Sequence, residues 1–120
     1  MVRVFILTLF AAAALALPGA NAAAQGVADF YRGKTINFIV GFGPGGGYDL
    51  YPRVMSRHLG RHIPGNPAVV VQNMDGASSV RAANYVYAVA PKDGTVVAAV
   101  NQNIPMYQLL GGAGAQFEAA

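Results

Sequence analysis

The sequence contains no cysteine and no tryptophan, and only 11% of its 120 residues are charged. The absence of cysteine excludes disulfide bonds, a thiolate metal site and a cysteine nucleophile. With 8 Lys and Arg against 5 Asp and Glu, the net charge of +3 is too small for a protein that binds nucleic acid through a basic surface. We therefore expect no nucleic-acid partner. Apolar residues make up 54% of the chain and are concentrated at its N-terminus.

The first 24 residues have the three-part pattern of a secretory signal peptide. Arg3 provides a positive start, residues 4–17 form a nearly unbroken apolar run, and A-x-A cleavage sites lie within residues 20–24. A helix over this run would span about 21 Å, which is short of the roughly 30 Å hydrocarbon core of a membrane. We expect residues 1–24 to be cleaved and residues 25–120 to be periplasmic, with no stable membrane insertion.

The mature chain is predicted to alternate strands and helices in the order β-α-β-α-β. The predicted strands are Thr35–Phe42, which is apolar on both faces, Ala68–Gln72 and Thr95–Val100. Three helices are predicted. The first begins between Tyr48 and Tyr51, the second runs from Ser78 or Ser79 to about Val89, and the third runs from Ile104 to Leu110. This order indicates an α/β fold with an open parallel sheet. In the strand order 2-1-3, a ligand crevice lies at the carboxyl ends of strands 1 and 3, whereas the order 3-2-1 separates them, and the sequence leaves both open.

Each of the first two predicted helices has an apolar face that we expect to pack on the sheet. The face of the first comprises Leu50, Tyr51, Val54, Met55 and Leu59, and that of the second Val80, Ala83, Val86, Tyr87 and Ala90. The candidate N-caps are Asp49 for the first helix and Ser78 or Ser79 for the second. Opposite the first apolar face we expect a solvated row, with docking of a partner protein as the alternative, formed by Arg53, Arg57 and Arg61. His58 and His62 are interpreted as packed or surface residues, not as metal ligands.

The glycine-rich loop Gly43–Asp49, which reads GPGGGYD, is the most informative motif. Bare backbone N–H groups at the start of a helix favour a bound anion, because the first-turn donors lack partners and the helix dipole is positive there. Asp49 would repel an anion, so capping or orientation of the loop is favoured over direct contact. The loop also satisfies G-x-G-x-x-G, which makes a Rossmann-like dinucleotide-binding domain of an oxidoreductase the alternative. The first acid after the second strand, Asp75, lies further along the chain than that fingerprint requires, and we expect no cofactor.

Four short motifs, together with the signal peptide, resemble a known family. They are Gly33-Lys34-Thr35-Ile36, Pro44-Gly45-Gly46-Gly47 with Asp49, Val70-Val71-Gln72-Asn73 with Gly76-Ala77, and Pro91-Lys92-Asp93-Gly94-Thr95. In this order they make the chain similar to the extracytoplasmic substrate-binding receptors of tripartite tricarboxylate transporters, the Bug family, over the signal and Phe30 to Gln102. The resemblance implies a periplasmic-binding-protein fold whose two α/β lobes grip a small carboxylate (a di- or tricarboxylate or an acidic amino acid). It implies membrane transporter subunits as partners and no catalysis.

Measured against that family, residues 25–120 are expected to be the N-terminal part of the first lobe, with the second lobe missing. Tyr48 stands where a small hydroxyl residue is usual, which changes one side-chain contact expected at the ligand. The expected ligand-binding residues are Phe42, Pro44, Gly45, Gly46, Gly47, Tyr48, Asp49, Gly76, Ala77, Ser78, Asn101 and Gln102.

Overall fold

A computed structural model describes residues 20–118 of the protein. The helices are α1 (Ala20–Tyr31), α2 (Gly47–Leu59), α3 (Val80–Ala88) and α4 (Ile104–Leu109), and the strands are β1 (Thr35–Val40), β2 (Ala68–Asn73) and β3 (Val96–Ala99). Single 3₁₀ turns cover Gly60–His62 and Ala77–Ser79. Most of the predicted signal peptide lies outside the described residues, and its candidate cleavage sites fall within α1. None of the helices between residues 20 and 118 is long and apolar enough to cross a membrane.

The three strands form an open parallel sheet in the order β2-β1-β3, which is one of the two orders that the sequence left open. β1 is central, with Thr35 opposite Ala68 on one side and Asn37 opposite Val96 on the other. Its apolar residues are buried on both faces of the sheet, which confirms the prediction of an interior strand. The strand ends at Val40, so Phe42 belongs to the following loop. The predicted α/β class with an open parallel sheet is confirmed at this level.

A hydrophobic core cluster is formed by α3, α4 and the segment at residues 114–117. Val80, Ile104 and Phe117 form its buried cluster, and Asn84 of α3 anchors the segment by hydrogen bonds to the backbone at residues 114 and 116. Val80 and Ala90 are buried as expected, but Tyr87 is 44% exposed and its place in the predicted face is wrong. Ala82 is fully buried instead, because a small side chain lets α3 lie close to its neighbours.

Helix α2 does not pack on the sheet with the apolar face that was predicted. Asp49 and Pro52 are its buried residues, whereas four of the five expected core residues are 48–72% exposed: Leu50, Tyr51, Val54 and Met55. The close contact is made where α2 runs into the following turn, at Gly60, whose added Cβ would overlap the carbonyl oxygen of Pro67. A polar and small-residue face therefore lies against the sheet, and it is held there by the hydrogen bonds of Asp49 described below.

The start of α2 also differs from the prediction. The helix begins at Gly47, one residue before the predicted interval, and its N-cap is Gly46 with extended backbone, not Asp49. The carbonyl of Gly46 accepts hydrogen bonds from the N–H groups of Asp49 and Leu50, both at 3.0 Å. Pro52 consequently lies beyond the first turn, where proline lacks the N–H that a helix interior normally uses. The N-cap prediction failed because the Asp49 side chain has partners elsewhere.

Candidate functional site

The loop between β1 and α2 presents open backbone to solvent. A Cβ added at Gly43, Gly46 or Gly47 would meet no atom within 4 Å, and Gly45 has φ +94°, a conformation that favours glycine. The N–H groups of Gly46, Gly47 and Tyr48 lie at the start of α2, where helix geometry provides no partner inside the helix. The loop is therefore unobstructed and ends in donors aligned with the positive end of the helix dipole.

Asp49 is tied into the protein by a closed set of hydrogen bonds. Its Oδ2 accepts from the Gly45 N–H at 2.9 Å and from Arg53 Nε at 2.8 Å, and its Oδ1 accepts from Asn73 Nδ2 at 2.8 Å. Asn73 Nδ2 also donates to the Phe42 carbonyl at 2.8 Å, and Arg53 donates to Asn73 Oδ1 at 2.7 Å. The residues Asp49, Arg53 and Asn73, called the loop latch below, thus connect both ends of the loop to the end of β2.

The latch decides the electrostatics of the loop. Asp49 is only 3% exposed, and its hydrogen bond from Arg53, followed by those from Asn73 and Gly45, holds the pKa of this carboxyl far below its ordinary value. The carboxylate is ionised, but Arg53 offsets its charge, so α2 keeps a positive N-terminal end. The geometry supports orientation of the loop over direct ligand contact for Asp49, the preference stated from the sequence. The Asp49 carboxylate also accepts the hydrogen bond of the Gly45 N–H. Of the three glycine amides in the loop, those of Gly46 and Gly47 therefore remain available to a ligand.

A cavity of about 540 Å³, open to solvent, lies where α2 begins. Gly47, Tyr48 and Tyr51 line one part of it, and Gln102, from the loop after β3, lines another. The strand order β2-β1-β3 brings these two loops together at the carboxyl edge of the sheet, as expected for that order. The Tyr48 ring stacks on Phe42 with centroids 4.2 Å apart, so the tyrosine side chain forms an aromatic wall. Within the described part of the chain, no charged side chain lines this cavity.

The second loop contains four successive residues with positive φ, from Gly76 to Ser79. Ser79 occupies the N-cap position of α3, as predicted, but its side chain does not cap the helix. It is fully buried, and its Oγ donates to the Gly41 carbonyl at 3.0 Å. The prediction of side-chain capping is wrong because the left-handed backbone at Ser79 turns its hydroxyl toward the end of β1.

The remaining expected site residues are distributed around this edge. Ser78 and Asn101 line a smaller hollow of about 220 Å³ beside α4. Pro44, Gly76 and Ala77 are exposed, and Phe42 lies beneath Tyr48. The Asn101 side chain is held within its own loop, because its Oδ1 accepts a hydrogen bond from the Asn103 N–H at 2.9 Å. The expected residues therefore lie at one edge of the sheet but around two hollows.

The chain matches no protein-family model, no curated protein and no solved structure.

Sequence reasoning missed several residues that build this edge. Asn73 and Arg53 complete the latch, Tyr51 lines the larger cavity, and Ser79 fixes α3 to the end of β1. Asn73 carried a usable signal, because a polar residue that ends a buried-type strand lies at the carboxyl edge where parallel strands gather their loops. Tyr51 carried none, since its helical spacing placed it on the face assigned to the core.

The two histidines of α2 and the following turn are both exposed. Among residues 20–118, no three side chains of His, Cys, Asp or Glu are grouped so that they could hold a metal ion. The packed alternative for His58 and His62 is therefore wrong, and the surface alternative is correct.

Proposed function

We propose that this protein is an extracytoplasmic solute receptor that binds a small carboxylate and delivers it to a membrane transporter of the tripartite tricarboxylate type. The observation that carries the proposal is the set of uncovered N–H groups at Gly46, Gly47 and Tyr48, at the edge of a cavity shared with Gln102. The resemblance of the sequence motifs and the signal peptide to the Bug family is what supports the periplasmic-binding-protein fold, the export and the transporter in this proposal.

The chemistry of the loop suits a carboxylate. Helix N-termini with bare amides bind anions, and each charge-assisted hydrogen bond contributes roughly 1.5–3 kcal/mol. Three such bonds give a gross contribution of about 5–9 kcal/mol, against an association penalty of about 4–15 kcal/mol. The most favourable combination leaves only about 5 kcal/mol, so binding through this loop alone is no tighter than about 0.2 mM. A second wall opposite the loop, as in a two-lobe receptor, would raise the affinity.

Two observations weigh against the dinucleotide alternative. The dinucleotide-binding half-fold has its first three strands in the order 3-2-1, whereas β1 is central in this sheet. An acid that binds the ribose is also required near the end of the second strand, and that place is taken by Asn73, whose amide is bound to Asp49 and Phe42. Asp75, the nearest acid, follows the strand and is exposed.

Gly47→Pro tests the role of the amides directly. Gly47 is the first residue of α2, where proline is well tolerated, and Gly46 before it has φ −86° and ψ 172°, a backbone that proline accepts in its predecessor. This variant removes one N–H while the helix is kept. Gly47→Ala is the matched control, because it adds a side chain into open space and retains the N–H.

The measurement is titration of the full ¹⁵N-labelled chain with citrate, glutamate and NAD, followed by amide chemical shifts. We expect the carboxylates to shift the signals of Gly46, Gly47 and Tyr48, with NAD inactive. Gly47→Pro should bind roughly 10- to 150-fold more weakly, the loss of one charge-assisted hydrogen bond, and Gly47→Ala should bind like the wild type. Equal binding by Gly47→Pro and wild type, or a response to NAD alone, would refute the proposal.

A further inference from the structure

The outer face of α2 carries large apolar side chains that nothing in residues 20–118 covers. Leu50 is 59% exposed, Tyr51 72%, Val54 48% and Met55 51%. Their spacing at i, i+1, i+4 and i+5 puts them side by side on one helix, on the side turned away from the sheet. Contiguous apolar surface of this kind, as distinct from scattered single residues, marks an interaction site in soluble proteins.

The face continues into a shallow, largely open groove at the C-terminal end of the helix. Val54, Met55 and Leu59 provide the apolar lining, and His58 and His62 complete it. Hydrophobic grooves can accept the apolar side chains of an amphipathic helix, which are spaced by three or four residues. The patch formed by Leu50, Tyr51 and the groove residues is called the α2 outer surface below.

The charged residues that adjoin the α2 outer surface along the chain are of one sign. Arg61 is exposed and its Nε donates to Nε2 of the groove residue His62 at 3.3 Å, and the exposed Arg57 precedes the groove residue His58. The only acid of α2, Asp49, is buried and paired with Arg53. No Asp or Glu occurs between Leu50 and Met74. Any partner must therefore combine apolar side chains with negative charge, because complementary charge steers association and like charge opposes it.

We infer that the α2 outer surface docks a partner segment that is an amphipathic helix with acidic residues flanking its apolar side. A second copy of this chain fits poorly, since it would bring its own Arg57 and Arg61 to the interface and the same surface supplies no acid to offset them. The apolar run at residues 4–17 is not complementary either, because it contains no acid. This inference does not rest on the proposed carboxylate site.

The test uses the full chain and a fluorescein-labelled 18-residue peptide, with leucine at i, i+3, i+4 and i+7 spacing and glutamate elsewhere. A second peptide has lysine in place of every glutamate. Fluorescence anisotropy measures binding of each peptide at two salt concentrations. We expect the glutamate peptide to bind at least tenfold more tightly than the lysine peptide, with an affinity that falls as salt is raised.

Variants locate the contact. The double variant V54S with M55S should bind the glutamate peptide at least tenfold more weakly. The double variant R57Q with R61Q should also bind it more weakly, and the affinity should depend less on salt. The control Val89→Ser removes an equally apolar side chain, 70% exposed but after α3, and should leave binding unchanged. Circular dichroism melting checks that each variant folds.

Three outcomes would overturn the inference. The first is that the glutamate and lysine peptides bind with equal affinity, or that neither binds. The second is binding that V54S with M55S leaves unchanged. The third is a dimer in sedimentation equilibrium that the same serine pair dissociates, which would assign the surface to a second copy.

Discussion

The contact between Gly41 and Ser79 fixes the start of α3 to the end of the central strand, and Gly41→Ala tests it. A Cβ at Gly41 would overlap Ser79 Oγ and lie 2.6 Å from Ser79 Cβ. Ser79 is fully buried, so it has no free space into which to move. Overpacking of this kind costs about 1–3 kcal/mol, and we expect Gly41→Ala to lower the free energy of unfolding by that amount.

Ser79→Gly should rescue Gly41→Ala. By itself it loses a hydrogen bond worth about 0.5–1.5 kcal/mol, but it relieves a left-handed backbone at φ +80°, which costs a residue with a Cβ about 1–2 kcal/mol. The single change is therefore nearly neutral. In the double variant the clashing Oγ and Cβ are gone, although the Ser79 Cα still lies 3.1 Å from the new methyl group. We expect a favourable coupling of about 1–2 kcal/mol.

Urea unfolding followed by circular dichroism measures the free energy of unfolding of the wild type, the two single variants and the double variant, which together form a double-mutant cycle. Ser78→Gly is the control, since Ser78 has a similar backbone (φ +50°) but is exposed and is not among the nearest contacts of Gly41. Ser78→Gly should stabilise the wild type and Gly41→Ala by the same amount, and it should not reverse the loss of stability caused by Gly41→Ala. If the Gly41→Ala and Ser79→Gly effects simply add to within about 0.5 kcal/mol, the steric argument is wrong.

Two further predictions concern the packed face of α2. Arg53, Asn73 and Gly45 hold the pKa of Asp49 well below its ordinary value of 3.8, so its contribution to stability is full above about pH 4 and is lost as the pH falls further. Asp49→Asn should therefore be less stable than wild type at neutral pH, with a difference in urea midpoint that shrinks toward about pH 2; a difference that stays constant with pH would contradict this. Gly60→Ala should destabilise by about 1–3 kcal/mol, because its methyl group would overlap the rigid Pro67 carbonyl. Its melting temperature should fall by several degrees, whereas the solvent-facing Gly46→Ala should not show this loss.

The strands were predictable because their signal is local. β1 is apolar on both faces and is the interior strand, and β2 begins at the predicted Ala68. Strand order was not predictable in the same way. Three consecutive valines make β2 as suitable for an interior position as β1, yet β2 is an edge strand and Val70 is 44% exposed. Apolar content indicates a strand but does not say which neighbours it acquires.

The face of α2 was mispredicted for a related reason. Helical periodicity counts apolar side chains, and it placed Tyr51 and Met55 against the sheet. The observed contact depends instead on Asp49, whose partner Asn73 lies on another element and is invisible to periodicity. The glycine loop, by contrast, was found where expected, because three adjacent glycines after a strand have few structural uses.

The left-handed turn from Ala77 to Ser79 gave no sequence signal, since none of its three residues is glycine. Such backbone persists only where surrounding contacts over-determine it, and here the buried hydroxyl of Ser79 does so. A constraint supplied by tertiary contacts cannot be read from local composition. The same applies to the stacking of Tyr48 on Phe42, which gives the cavity its aromatic wall.

The central position of β1 has a consequence for biosynthesis. The strand that emerges first from the ribosome must wait for both of its hydrogen-bonding partners, and the second of these, β3, ends only at Ala99. Until then its backbone has at least one unsatisfied edge. The amides of Asn37 and Gly41, which donate to the Thr95 and Ala99 carbonyls on the β3 side, should therefore acquire protection against hydrogen exchange only after β3 has been synthesised.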